Sequence, residues 1–233
     1  MRDLYDKHIP EEIPEDAILI IGAGHFGGRA ARLLSNETKA PLFVVDMDKK
    51  SLSELEDLPV KRIVYDGTLF LIKYYHLLNP SNTIVPAVPL HLAYEWVKGY
   101  LKSSRVVNMI KVPDEIKPLL PFTWQGSEGS LLVSYADFEC PDDCPEPEYC
   151  TVTGERRDNP LHDLLGHVRL PGFKTHVIRS HQLAPGLGGY KLRALTGLAE
   201  RLSESERGKW LLGTSCRCHG IVTAIEIYQT QTV

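Results

Sequence analysis

Three cysteines, Cys140, Cys144 and Cys150, fall within the stretch "CPDDCPEPEYC". Two more, Cys216 and Cys218, stand beside His219 in "CRCHG" and complete the set of five. Four thiolates suffice for a tetrahedral zinc site or a [4Fe–4S] cluster, and His219 is a further ligand of suitable type. The spacing C-x3-C-x5-C is neither the C-x2-C of most zinc knuckles nor the run of small ferredoxins, although cysteine followed by proline, seen twice here, belongs to that run. Asp142, Asp143, Glu146 and Glu148 crowd the thiols with negative charge. Such charge raises a thiol's pKa unless a cation compensates, which favours a bound metal over a bare reactive thiolate. The odd count argues against a complete disulfide framework. An iron–sulfur cluster, a zinc ion, a thiol–disulfide pair and a plain loop all remain open at this level.

The second chemical signal is Gly22-Ala23-Gly24-His25-Phe26-Gly27, a G-x-G-x-x-G. It follows the apolar run Ala17–Ile21 and precedes Ala30, Leu33 and Leu34 at helical spacing. In that context the first glycine permits a tight turn, the second lets backbone approach a pyrophosphate, and the third lets helix pack on strand. His25 and Phe26 lie inside the turn and count with it as cofactor-binding candidates. "PLFVVDMD" reads as a second buried strand that delivers Asp46, 24 positions after Gly22. A carboxylate there accepts hydrogen bonds from ribose hydroxyls and repels a 2′-phosphate, so NAD or a related adenine nucleotide is expected over NADP.

These residues need elements to hold them. "SLSELEDL" suits a helix capped by Ser51 with Glu54 at the capping-box position. "KRIVYDG", "NTIVPAV" and "RVVNMI" read as third, fourth and fifth strands, separated by the helical patterns "TLFLIKYYHLL" and "LHLAYEWVKGYL". Strand and helix alternating in this way predict parallel βαβ units. Residues ~17–107 resemble the TrkA-N Rossmann domain, the nucleotide-binding module of potassium-conductance regulators. The resemblance is carried by Gly22, Gly24, Gly27, Asp46 and Asp66, the last ending the third strand. It implies that the glycines bind pyrophosphate, that the first acid holds the adenosine ribose, and that a non-enzymatic nucleotide or redox sensor is one function to weigh. Beyond the fourth strand, "VPAVPLHLAYEW" resembles the corresponding turn of saccharopine-dehydrogenase-like oxidoreductases.

The second half is organised differently. "KVPDEIKPLLPFTWQGSEGS" reads as an irregular connection. "LLVSYADF", "KTHVIRS" and "KWLLGTS" read as strands, "LHDLLGHV" and "YKLRALTGLAERL" as helices, and "IVTAIEIY" as strand or helix. Both cysteine groups follow strands, so parallel neighbours would bring them to one edge and into one site. "HQLAPGLGGY" reads as a glycine-rich strand-to-helix turn, a place for an anion beside Arg179 and His181. Arg156 and Arg157 are expected to pair with the acids of the cysteine loop. His91, past the fourth strand, and His181 are weak candidates for a catalytic acid or base.

The expected fold class is therefore α/β: a Rossmann-like parallel sheet with helices on both faces (14–110), plus a smaller cysteine-bearing α/β half (111–233) that packs with it or apart. With 233 residues, 43% apolar and 24% charged, the composition is that of a globular protein. A net charge of -4 gives no electrostatic case for nucleic acid or an anionic membrane. No apolar run reaches the ~20 residues of a membrane helix, and the polar, acidic N-terminus is neither signal nor transit peptide. The reading that follows is a cytoplasmic, nucleotide-binding redox protein with a cysteine-held zinc or iron–sulfur centre, an oxidoreductase or a sensor, taking a small anionic ligand and able to pair as a homodimer.

Overall fold

All four residues of β1 (Ile18–Ile21) are buried, as a strand covered by helices on both sides must be. The computed structural model describes residues 9–205 and 207–230. After β1 come α1 (His25–Glu37), β2 (Leu42–Asp46), α2 (Lys49–Ser53), β3 (Val60–Val64), α3 (Gly67–Lys73), β4 (Thr83–Pro86) and α4 (Leu92–Leu101). The four strands are parallel in the order β3-β2-β1-β4. Their carboxyl ends share one edge, which carries the glycine turn, Asp46 and Asp66. One helix boundary differs from expectation. Asp48, not Ser51, caps α2 by accepting the N–H groups of Lys50 and Ser51. The Ser51 hydroxyl is itself engaged with Asp48 at 2.7 Å, and Glu54 ends the helix instead of reaching back to its start.

The fifth strand is the larger correction. β5 (Arg105–Ile110) does not extend the parallel sheet; it pairs antiparallel with β12 (His219–Gln229) in a second sheet. Only Val107 of β5 is fully buried, and a half-covered strand suits an antiparallel neighbour. The edge beside β4 is taken by β10 (Leu187–Lys191), antiparallel, with β9 (His181–Ala184) outside it. "HQLAPGLGGY" is thus a hairpin and not a strand-to-helix turn. Gly186 forms its tip at φ +68. A Cβ on Gly189 would stand 2.8 Å from Ile84 O, so only glycine lets β10 lie this close to β4.

The second sheet runs β6 (Phe122–Gln125), β7 (Leu131–Ser134), β12, β11 (Arg207–Ser215), β8 (Phe173–Arg179). The connection expected to be irregular holds β6 and a 3-10 turn over Asp114–Leu119. α5 (Leu161–His167) and α6 (Leu192–Ser203) complete the chain.

Side chains sort the layers. Leu19 and Ile21 of β1 face a core shared with α3, α4, α6 and, across them, Leu212, Ile225 and Ile227 of the second sheet. Ile18 and Ile20 face α1 and α2 on the other side. Leu211, Val222 and Ala224 face α5 and the 112–120 segment. The two sheets therefore sandwich one helical layer, with Trp96 fully buried in it and donating to Leu71 O. Among the described residues no helix is long and apolar enough to cross a membrane.

Candidate functional site

The glycine turn divides its labour by space. Gly22 has φ +104, and a Cβ there would lie 2.4 Å from Ala87 O. A Cβ on Gly27 would lie 1.9 Å from Gly22 O. Gly24 has nothing within 4 Å of its Cβ direction. Two glycines thus serve internal packing, and the third opens outward where a bound group can approach backbone. Gly24 is the N-cap of α1, with no side-chain cap and no acid in the first turn. The first N–H groups of α1 and its positive dipole end are open to an anion.

Asp46, at the end of β2, accepts the N–H of Ala23 at 2.5 Å and that of Asp48 at 2.7 Å. The Ala23 that it holds lines a cavity of about 230 Å³ together with Gly24, His25, Arg32, Ser51 and Glu54. Asp66 caps α3, accepting the Leu69 N–H at 2.8 Å. Phe26 is exposed. His25 Nε2 lies 2.9 Å from Asp142 Oδ2, both groups being exposed. The cysteine loop therefore touches the glycine turn.

A larger cavity, about 560 Å³, opens at the carboxyl end of β4 between the two sheets. His91, the N-cap of α4, forms part of its wall. Its Nδ1 lies 2.8 Å from Thr223 Oγ1 and its Nε2 2.9 Å from Thr214 Oγ1. Burial pushes its pKa down to about 3, so the ring is neutral, one nitrogen donating and the other accepting. His91 fastens the first half to the second sheet and is not an imidazolium at neutral pH. Tyr190 lines the same cavity, and its buried hydroxyl has no hydrogen-bond partner among the described residues. His181 stands on β9 outside the lining; burial first, then Arg179 and His162, lower its pKa. Besides Tyr190, Gly186, Gly188 and Ser180 are the parts of that hairpin and its approach that reach the cavity.

Both β7 and β11 are antiparallel to β12, so they end at one edge, separated by β12. The cysteine loop leaves β7 there and folds back. Cys144 O accepts from Gly186 N–H at 2.8 Å and Gln182 Nε2 at 3.0 Å. Tyr135 N–H donates to Cys218 O at 3.0 Å, and Arg217 N–H donates to Glu146 Oε2 at 3.3 Å. Arg156 pairs with Glu148 and Asp158. These contacts bring Glu146, Cys216 and His219 together, with a ligand atom of each within 4.8 Å of the others. Cys140, Cys144, Cys150 and Cys218 belong to no such group among the described residues. All five cysteines are free.

Their environments differ. Burial, then Glu146, pushes Cys216 up to about 12 and Cys218 up to about 11. Burial, then Cys144 and Cys150, raises Cys140. The Thr153 backbone N–H lowers Cys150 to about 7. His219 is lowered by burial.

Residues 93–228, more than half the chain, match the family described as "Uncharacterized protein, C-terminal domain". Residues 18–70 match the TrkA-N domain. A protein of Archaeoglobus fulgidus described as "Uncharacterized protein" is 33% identical over 221 residues, 89% of this chain and 98% of that one. The chain belongs to that family. No solved structure matches it. In this chain the TrkA-N match runs from β1 into α3, the nucleotide-binding type of unit, while the C-terminal match begins inside α4 and includes β5. That division agrees with the pairing of β5 to β12.

Sequence reasoning had singled out Cys216 and His219 as ligands but counted Glu146 only as a source of charge. It did not find Tyr190, Thr214 or Thr223. No spacing signals Glu146: its place depends on how the loop closes over the β11–β12 turn. The arrangement provides an uncapped helix start, a carboxylate at the end of β2, and a cavity whose wall carries a thiol, an imidazole and a carboxylate.

Proposed function

We propose that the protein binds NAD(H) on the TrkA-N turn and works as a redox protein, with the reacting end of the dinucleotide directed to the cavity between the sheets. The observation that carries this reading is the open Cβ direction of Gly24 beside the uncapped start of α1. Gly24 and the first N–H groups of α1 would hold the pyrophosphate, and Asp46 the adenosine ribose. A carboxylate has about four acceptor positions. Two at Asp46 are used by Ala23 and Asp48, which leaves room for ribose hydroxyls and disfavours a 2′-phosphate. When bound, the nicotinamide supplies a hydride donor or acceptor. The chain's own contribution at the cavity is a neutral, buried imidazole at His91 in its wall.

Titration with NADH, followed by nicotinamide fluorescence, tests this. The expected result is saturable binding, at least ~10-fold weaker for NADPH and for Asp46→Ala, a loss of about 1.4 kcal/mol. Absence of binding, or equal affinity for both cofactors with Asp46→Ala unaffected, would contradict it.

A non-enzymatic sensor is the second reading, favoured by the TrkA-N match and by the His25–Asp142 contact, through which a ligand on the turn would be felt by the cysteine loop. Bound NADH that is never oxidised by any added acceptor would favour the sensor. A cysteine-held centre, zinc or iron–sulfur, is a separate proposal resting on other residues.

A further inference from the structure

Cys216 and His219 close the turn between β11 and β12, and Glu146 reaches them from the cysteine loop. Cys216 Sγ stands 4.0 Å from His219 Nδ1. The backbone N–H of His219 donates to that sulfur at 3.3 Å and fixes its position in the turn. Glu146 is held by the Arg217 N–H and sits at φ +49, one of two non-glycine residues in the left-handed region among the described residues. Strain of this sort gathers where a side chain must be aimed. The loop accepts it and thereby presents a carboxylate to a thiol and an imidazole, and all three residues line the large cavity.

We propose that Glu146, Cys216 and His219 form a three-ligand site for one divalent ion of the zinc class, its fourth position open to the cavity between the sheets. Bond lengths of about 2.3 Å to sulfur and about 2.0 Å to nitrogen or oxygen put tetrahedral donors roughly 3.5 Å apart. The trio, within 4.8 Å, therefore needs to contract by only about 1 Å. One thiolate, one imidazole and one carboxylate are the mixed donor set that suits zinc and cobalt, whereas magnesium and calcium take oxygen alone. A [4Fe–4S] cluster asks for four thiolates, and this group offers one.

Three protein ligands are the pattern of sites that act on a bound molecule, where four would only staple the fold. The open position takes an oxygen ligand, such as water or the carbonyl or carboxylate oxygen of a small molecule in the cavity. The site stands apart from the dinucleotide reading, because it needs no nucleotide and can be assayed without one.

The test is cobalt and zinc binding to the metal-stripped, reduced full-length protein, with fold checked by circular dichroism. The expected result is about one equivalent of Co2+ with a sulfur-to-cobalt charge-transfer band and tetrahedral visible bands, displaced by zinc. Cys216→Ser should remove the charge-transfer band. His219→Ala and Glu146→Gln should each weaken binding at least ~10-fold, and Glu146→Gln serves if the other variants fail to fold. Cys140→Ser and Cys150→Ser should leave the site unchanged. Three results would overturn the proposal. The first is no binding of either metal at micromolar concentration, which would leave a thiol hydrogen-bonded to a carboxylate. The second is a cobalt spectrum that survives Cys216→Ser and is lost with the loop cysteines. The third is an iron–sulfur chromophore in protein purified without oxygen.

Discussion

His91 shows what one side chain can do for both halves. It is buried between two threonine hydroxyls of the second sheet and neutral, with its pKa pushed down to about 3. An unfolded histidine titrates near pH 6.5. The folded value is lower, so the unfolded state takes up the proton first as pH falls. Stability is therefore undiminished above about pH 6.5 and is lost progressively from there toward pH 3, at about 1.4 kcal/mol per pH unit. Urea unfolding at about pH 7 and pH 5 should show the wild type losing about 2 kcal/mol more than His91→Gln over that interval. Equal losses would mean that His91 is not held neutral. The sequence marked His91 as a site candidate because it follows the fourth strand. Its two partners, more than a hundred residues away, were not legible, since only the folded sheets bring them near.

At the scale of the element, the glycine turn makes a sharp distinction. Gly27→Ala drives a Cβ into Gly22 O and should cost about 3 kcal/mol or more. Gly24→Ala meets nothing and should change stability by no more than ~0.5 kcal/mol, yet weaken NADH binding at least ~10-fold by occupying the approach to the backbone. Thermal melts and nucleotide titration of the two variants check this; an unaffected Gly24→Ala titration would remove the phosphate role. This turn was readable from sequence because its constraints are local: a strand, three glycines and a helix, all within twenty residues. The four parallel strands were readable for the same reason. β5 was not, because "RVVNMI" signals a strand but not its partner. The β9–β10 hairpin is not legible in the sequence, because glycine serves equally a strand-to-helix turn and a close antiparallel approach to β4. The cap of α2 went to Asp48 because its carboxylate accepts two N–H groups and a hydroxyl together. The cysteines announced themselves by type, but Glu146 became a candidate ligand only through the path of its loop.

Across the whole molecule, the halves are laced together. β5 crosses to the second sheet while β9, β10 and α6 return to the first, and one core spans α3, α4, α6 and both inner sheet faces. The chain should unfold as one cooperative unit. Tryptophan fluorescence, with Trp96 in the shared layer, and far-ultraviolet circular dichroism should give coincident urea transitions. Two separate transitions would mean that the sheets fold independently. The same lacing sets the proposed function: the edge of the first sheet that carries the glycine turn is also the mouth of the cavity, and the cysteine loop lies against both. Amide hydrogen exchange with and without saturating NADH tests this most directly. Slowed exchange is expected at His25–Gly27, at the start of α1, and through residues 87–93 at the cavity wall. Unchanged exchange in both segments, or protection confined to other parts of the chain, would contradict it.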